Sequence, residues 1–160
     1  MPTAYSAELT KAVALAAGTG YSLNNGLNTV EGRVHAVFGT YTSTAIAAGS
    51  TIDMLKLPKN ARVLRGAVIT GALGSNVTLA VGTNVALVKE DGSTALTAAG
   101  AANLLAATSH ASAAVTPFCA TRLLGAGGLT TAETTVTLTT AGATLDPNIE
   151  VLVYVEYLQN

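Results

Sequence analysis

The amino-acid sequence predicts an all-β fold, an antiparallel β-sandwich of about eight strands that is jelly-roll-like and carries an extended or partly helical N-terminal arm. From residue 32 onward, apolar and polar residues alternate in short segments, and turn residues separate these segments. No long helical crossover pattern lies between the segments, which disfavours a parallel α/β sheet. An immunoglobulin-like strand order is the second choice.

The predicted strands show a period of two, which places one face in the core and the other in solvent. In the first strand Val34, Ala36 and Phe38 form the apolar set, and in a later strand Val136 and Leu138 alternate with threonines. The predicted strands are 33–42, 51–57, 62–70, 76–81, 84–89, 115–124, 133–140 and 149–158. Turn residues lie in the gaps, at 48–50, 58–60, 71–75, 82–84, 91–93, 125–128 and 146–148.

Two segments depart from simple alternation. The last strand, 149–158, has apolar residues on both faces, so we expect it to be central in its sheet or covered by a neighbouring subunit. The alanine-rich stretch 93–112 is ambiguous between a loop and a short helix, and Gly100 lowers its helix propensity.

The chain divides into an arm, residues 1–31, and a sandwich domain, residues 32–160. Residues 7–17 have moderate helix propensity, with Ser6 placed as a cap and Gly18 as an end, but their apolar stripe is narrow. We expect this arm to gain its order from a partner. Its side chains large enough to act as anchors are Tyr5, Leu9, Val13, Leu15, Tyr21 and Leu23.

Composition excludes several classes of partner. Only 11% of the residues are charged and the net charge is −1, which argues against nucleic acid as the main partner. No apolar run of about 18 residues and no signal peptide pattern are present, so the sequence predicts no membrane partner and no export. A surface with few ions loses little hydration when it is buried, which suits packing against other subunits. The single cysteine, Cys119, excludes an intrachain disulfide.

Residues with chemical reactivity do not cluster in the sequence. His35 and His110 are far apart and have no metal-ligand spacing around them, and Cys119 lies in a predicted strand without an adjacent base. Glu90 and Asp91 begin a turn that lacks the later ligands of a calcium loop, and the glycine-rich segment 125–128 lacks the lysine of a phosphate-binding loop. The sequence predicts no catalytic residue, no metal and no cofactor.

Half of the eight basic residues fall within ten positions, at Lys56, Lys59, Arg62 and Arg65. Their spacing crosses the turn at Pro58 and places them along one rim of the predicted sandwich. They either keep an edge solvated and discourage aggregation or dock on an acidic surface, and we favour the solvated rim.

Two stretches carry a family resemblance. The run 39–66 has a threonine-rich strand, a strand ending in Leu57-Pro58, a short polar turn and then Val63-Leu64-Arg65-Gly66. This run, the Thr-Leu-Ala-Val-Gly strand ending at Gly82 and the hydrophobic last strand resemble the cement or decoration proteins of tailed-phage heads. The resemblance implies a jelly-roll-like domain, a homotrimer or homodimer, that binds the major capsid protein with its arms reaching over neighbouring subunits.

The expectation is therefore a non-enzymatic structural protein on the outer surface of the virion capsid, assembled in the host cytoplasm. A ligand that binds only the assembled lattice stabilises it by mass action. Two alternatives stay open at this point. One is a carbohydrate- or receptor-binding sandwich module of a phage head or tail fibre, and the other is a self-assembling shell or filament subunit.

Overall fold

The computed structural model describes residues 33–89, 95–118 and 128–159, and these residues form eleven β-strands and no helix. The strands are β1 Arg33–Thr42, β2 Thr51–Leu57, β3 Ala61–Thr70, β4 Thr78–Thr83, β5 Leu87–Val88, β6 Ala95–Thr97, β7 Gly100–Ser109, β8 Ala114–Phe118, β9 Leu129–Thr130, β10 Thr134–Ala141 and β11 Glu150–Gln159. The predicted all-β fold is confirmed.

The strands form two sheets. Sheet 1 has the order β1-β11-β3-β9-β5-β6, with β8 pairing on β3, and sheet 2 has the order β2-β10-β4-β7. The long ladders, β11 with β3 and β10 with both β2 and β4, are antiparallel. Strands distant in sequence therefore become neighbours, and the two sheets make the predicted antiparallel sandwich.

The core lies between the inner faces of the two sheets. In β10, Val136 and Leu138 are fully buried, and in β11 Val151, Val153 and Val155 are fully buried. Each of these residues alternates with a half-buried neighbour, as a period of two requires. Valine and leucine supply most of the buried volume, because the chain has few aromatic residues.

β11 lies between β1 and β3, which confirms its predicted central position. Its second face, with Leu152, Tyr154 and Leu158, is only half-buried. The apolar residues on this second face therefore belong to the exterior of sheet 1.

Several predicted turns are confirmed by residues in the left-handed region of backbone conformation. Gly49 has φ +87°, Asn60 has φ 63° and Asn148 has φ 62°. Glycine and asparagine adopt this conformation at the lowest steric cost. These three turns connect β1 to β2, β2 to β3 and β10 to β11.

The expectation of a loop or short helix at 93–112 is wrong for residues 95–97 and 100–109. They form β6 and β7, and β7 lies antiparallel along β4, with Thr78 opposite Ser109 and Val81 opposite Leu105. Pairing with an existing sheet edge satisfies the backbone of β7, which overrides the moderate helix preference of alanine.

The expected number of about eight strands is also too low. β6, β7 and β9 were not among the predicted strands, and two of them are too short to show a period of two. The predicted strand 84–89 shortens to Leu87–Val88. Of the predicted strand 115–124, residues 115–118 lie in β8, and residues 119–124 lie outside the described residues.

The apolar set of β1 does not face the core. Val34 and Phe38 are exposed, whereas Val37, on the opposite face, packs against the core cluster. On this inner face the ring of His35 stacks on that of Tyr157 in β11, and at Gly39 a Cβ would collide with the backbone of Met54 in β2. These inward contacts fix which face of β1 is buried, so Val34 and Phe38 point outward.

Leu138 offers a test of the core. It lies opposite Ile52 on one side and Val81 on the other, and it is fully buried. We expect Leu138→Ala to lower the free energy of unfolding by about 2–5 kcal/mol, because it removes apolar contacts and leaves a cavity. Urea titration measures this loss. The control Thr137→Ala, on the opposite face of the same strand, should cost about 0.5 kcal/mol or less, and equal losses for both variants would contradict the inward orientation of Leu138.

Candidate interaction surfaces

The predicted arm contacts cannot be located in the structure. Tyr5, Leu9, Val13, Leu15, Tyr21 and Leu23 all precede residue 33 and lie outside the described residues. Their role as anchors stays a prediction.

The orientation of β1 is fixed by contacts on its inner face. The ring of His35 stacks on that of Tyr157, a largely buried residue of β11, with centroids 5.4 Å apart and planes 20° apart. Because side chains alternate along a strand, Val34, Ala36 and Phe38 point to the outside of sheet 1.

The outward row of β3 follows from its ladders. Val68 is buried and lies opposite Val153, so its neighbour Ile69 points outward. Ile69 lies opposite Leu152 in β11 and opposite Val115 in β8. These three side chains form an apolar row across sheet 1.

All the large apolar side chains that are strongly exposed in the described residues lie on this side of sheet 1. Their exposed fractions are 59% for Val34, 72% for Phe38, 38% for Ile69 and 65% for Val115. We call these four residues the outer apolar face. Exposed apolar side chains that gather on one face mark a candidate interaction site, since soluble monomers rarely expose contiguous apolar patches larger than a few hundred Å².

An ion pair borders the outer apolar face. Arg65 lies opposite Glu156 in the ladder of β3 and β11, and its Nε donates to Oε2 of Glu156 over 2.7 Å. This hydrogen bond raises the pKa of Arg65, so the guanidinium stays charged, and the carboxylate of Glu156 neutralises that charge. The border of the face therefore has little net charge.

The predicted basic rim is divided between the two sheets. Lys56 lies on β2, Lys59 is exposed in the following turn, and Arg62 and Arg65 lie on β3. Lys56 Nζ donates to Oε1 of Glu133 over 2.7 Å, and this hydrogen bond raises the pKa of Lys56. Lys56 and Arg65 thus each have a carboxylate of the same chain beside them. The solvated-rim and docking interpretations both stay predictions.

His110 forms a buried polar cluster between the sheets. Its Nδ1 lies 3.0 Å from the hydroxyl of Thr70, and its Nε2 lies 3.3 Å from that of Thr108 and 3.5 Å from that of Thr116. Its backbone N–H donates to the carbonyl of Val77 over 2.9 Å. The residue is fully buried, and burial lowers the pKa of its imidazole.

The surroundings of His110 indicate a structural role. Three hydroxyl groups satisfy the ring, and a buried polar group with partners is the normal condition of a folded core. The hydrogen bonds of the ring within the described residues go to threonine hydroxyls, and none goes to a carboxylate that would orient the ring as a general base.

The other chemical candidates of the sequence are only partly described. Cys119, Glu90 and Asp91 lie outside the described residues, as do residues 125–127. Within the described ranges, no group of three or more His, Cys, Asp or Glu side chains could hold a metal ion. Nor does this part of the chain contain a helix long and apolar enough to cross a membrane.

No family model and no curated protein matches this sequence. Solved structures do match. A chain of the capsid of Ralstonia phage GP4 has a TM-score of 0.62 and 22% identity, with 80% of this chain and 85% of that chain covered. This protein has the fold of that capsid chain.

Two further phage capsids contain chains of similar fold. The capsid asymmetric unit of cyanophage Pam1 gives a TM-score of 0.57 at 21% identity, covering 81% of this chain and 86% of that chain. The acid-stable capsid of Helicobacter pylori bacteriophage KHP30 gives 0.51 at 15% identity, covering 78% and 86%. The predicted jelly-roll-like fold class is confirmed.

The exposed residues of the outer apolar face were not singled out by sequence reasoning. Alternation in β1 predicts that Val34 and Phe38 face the core, and nothing within β1 reveals that the other parity is buried. One signal was present, since Leu152 and Tyr154 already indicate a covered second face of β11.

We expect His110 to make stability depend on pH. The folded protein keeps the imidazole neutral, whereas the unfolded chain binds a proton near pH 6.5, so protonation favours unfolding. This contribution is complete above about pH 6.5 and is lost as the pH falls below it. Urea titrations at about pH 7.5 and about pH 5.5 should show a smaller fall for His110→Gln than for the wild type, and an equal fall would exclude the imidazole as its source.

Proposed function

We propose that this protein is a non-enzymatic structural protein of a phage head, a decoration or cement protein that binds the assembled lattice of the major capsid protein and stabilises it. The observation that carries the proposal is the similarity of fold to chains of three phage capsids, which spans 85–86% of each of those chains. The similarity therefore extends over nearly the whole of proteins of comparable length.

The exterior of sheet 1 supports a role in assembly. The outer apolar face holds four large apolar side chains in solvent, and burying them against a partner is favourable by the hydrophobic effect. A partner that packs against the border of this face meets little net charge, because Glu156 already neutralises Arg65. A flat apolar face of this kind suits a protein surface.

The arm adds a second contact in this proposal. Residues 1–31 contain Tyr5, Leu9, Val13, Leu15, Tyr21 and Leu23, whose side chains are large enough to anchor in pockets of neighbouring subunits. After one contact has formed, a tethered second contact acts at high effective concentration, which strengthens the binding without a new domain. We place the protein on the outer surface of the virion, as a homotrimer or homodimer that contacts the major capsid protein.

A self-assembling shell subunit is the second candidate, and the sheet edges favour it. Within the described ranges, β1 and β7 each pair with a strand on one side only, and apart from Arg33 at the start of β1 neither strand contains Lys, Arg, Asp or Glu. Long uncharged edges can pair with another chain. The carbohydrate-binding alternative has no comparable support, since Phe38 is the one strongly exposed aromatic residue of the described part and lies on a sheet face.

Deletion of residues 1–25 tests the arm. We expect the truncated protein to keep its sandwich and to lose affinity for heads that lack the decoration protein by about 100-fold or more, because the tethered contacts are gone. Cosedimentation with such heads measures the affinity, and circular dichroism with urea titration checks the fold.

A full-length Leu9→Ser/Val13→Ser variant serves as a second measurement that leaves the chain length unchanged. We expect this variant, like the truncated protein, to bind the heads more weakly than the wild type does. If the truncated protein binds the heads as tightly as the full chain does, the arm has no role in binding.

Light scattering separates the decoration protein from the shell subunit. A decoration protein should stay a small oligomer as its concentration rises, because its binding surface matches the lattice and not itself. Particles or filaments formed by the purified protein alone would favour the shell subunit instead.

A further inference from the structure

β1 has a long edge that the described structure leaves open. It pairs with β11 on one side, and no described strand pairs with its other side. Residues 34–42 contain no proline and no Lys, Arg, Asp or Glu, which are the residues that normally protect an edge. This edge is therefore suited to pair with another strand.

The other edge strands of the described residues are less suited to pairing. β2 carries Asp53 and Lys56, and β8 contains Pro117. The ladder of β7 with β4 shifts its register twice, and such irregularities bend a strand and disturb its edge. β6 has only three residues. Among these edges, that of β1 combines length, an even backbone and the absence of charge.

The hydrogen bonds at the end of β1 show which backbone groups face the open edge. The N–H of Ser43 donates to the carbonyl of Ile149, just before β11, and the carbonyl of Ser43 accepts from the N–H of Asn148, both over 2.8 Å. Side-chain burial alternates without a break from residue 34 to Ser43, so no bulge interrupts the strand. Backbone groups of successive residues point to alternate sides of a strand. The N–H and C=O groups of the even-numbered residues from 34 to 42 therefore point towards the open edge.

A second copy of the same strand fits this edge about a two-fold axis at Phe38. The opposed pairs are then Phe38 with Phe38, Ala36 with Thr40 and Val34 with Thr42. Every even-numbered residue from 34 to 42 has a partner in this register, and opposed residues of this kind exchange two hydrogen bonds. The total of about ten hydrogen bonds equals that of a typical protein interface. An axis at Ala36 or Thr40 would pair fewer of these residues within 34–42.

The side chains of β1 are compatible with this register. Opposed residues of an antiparallel pair share one face, so the two Phe38 rings meet on the outside of the joined sheet. Each ring is 72% exposed in the single chain, and aromatic pairs across strands are favourable. On the inner face Val37 lies opposite Gly39, which leaves room for it. Because residues 34–42 carry no Lys, Arg, Asp or Glu, no like charges of these residues meet across the axis.

We propose that two copies of this chain pair β1 with β1 about a two-fold axis at Phe38 and so form a homodimer with one continuous sheet. A two-fold interface closes on itself, so the pairing occupies the edge without producing a filament. The two outer apolar faces lie on the same side of the joined sheet and form one larger surface. The pairing follows from the edge itself, whereas the use of this surface against a capsid lattice rests on the proposed function.

Cross-linking of the full-length chain tests the pairing and its register. In a Cys119→Ser background, Ala36→Cys/Thr40→Cys should form disulfides between two molecules in most of the protein, because opposed residues have the Cα separation that a disulfide requires. The two cysteines of one chain are about 13 Å apart on an extended strand and cannot join. The single variants Ala36→Cys and Thr40→Cys are the matched controls and should stay reduced. Non-reducing electrophoresis and peptide mass mapping identify the products.

Other cross-linking results would overturn the proposal. A double variant that stays reduced would mean that β1 does not pair with β1. An equal yield in a single variant would move the axis to Ala36 or Thr40 and overturn the register. If the double variant stays reduced and the amides of residues 34–42 become protected from hydrogen exchange only on heads, the edge is occupied by a strand of the lattice and not by a second copy.

A proline on the open edge tests the role of the backbone. The N–H of Ala36 points away from β11, so Ala36→Pro should keep the fold while it removes a donor from the edge of each copy. We expect the dissociation constant of the dimer to rise about tenfold or more. Ala36→Ser keeps the N–H and should change this constant less than about threefold. Sedimentation equilibrium measures the constant, and urea titration checks the fold.

The oligomeric state and head binding separate this proposal from the proposed function. A wild type that is a monomer or a trimer in solution, or a dimer that folded Ala36→Pro leaves unchanged, would overturn the pairing. Cosedimentation with heads that lack the decoration protein gives the second measurement. A dimeric wild type that does not bind these heads would leave the pairing and contradict the proposed function. Head binding by a wild type that stays a monomer would leave the decoration role and overturn the pairing.

Discussion

The burial of one face of each sheet against the other is the interaction on which the rest of this structure depends. β10 and β11 bury every second residue, and the valines and leucines at those positions meet between the sheets. Since no disulfide and few aromatic residues contribute, this contact is the main source of stability. It also fixes the parity of every strand, because a shift of one residue would move each side chain to the opposite face.

The same constraint creates the exposed apolar surface. At Gly39 the inner face of β1 approaches the backbone of Met54 so closely that no Cβ fits, while His35 and Val37 pack inward beside it and Val34 and Phe38 point outward. β3 and β11 continue the surface with Ile69 and Leu152. The interior packing and the surface available to a partner are therefore two consequences of one register.

The few charged side chains of the described surface include two ion pairs within the chain. The ion pair Arg65–Glu156 joins the neighbouring strands β3 and β11, and Lys56–Glu133 joins β2 to the residue just before β10, so each pair neutralises its own two charges. Exposed pairs of this kind add little stability, but they reduce the cost of bringing a second protein near. In the interior, threonine hydroxyls act similarly, because they hydrogen-bond to both ring nitrogens of the fully buried His110.

The sequence alone determined the fold class, the bounds of β1 and β2, the turns at Gly49, Asn60 and Asn148, and the central position of β11, because these follow from local periodicity and backbone preference. Only the tertiary structure decided that residues 100–109 are a strand and that Val34 and Phe38 lie outside. Both depend on a neighbouring strand: β4 supplies hydrogen bonds to β7, and Tyr157 of β11 stacks on His35 and so fixes the buried face of β1. The local sequence of a strand does not specify which strand will pair with it. The pairing partners and the buried face are therefore determined only when the sheets assemble.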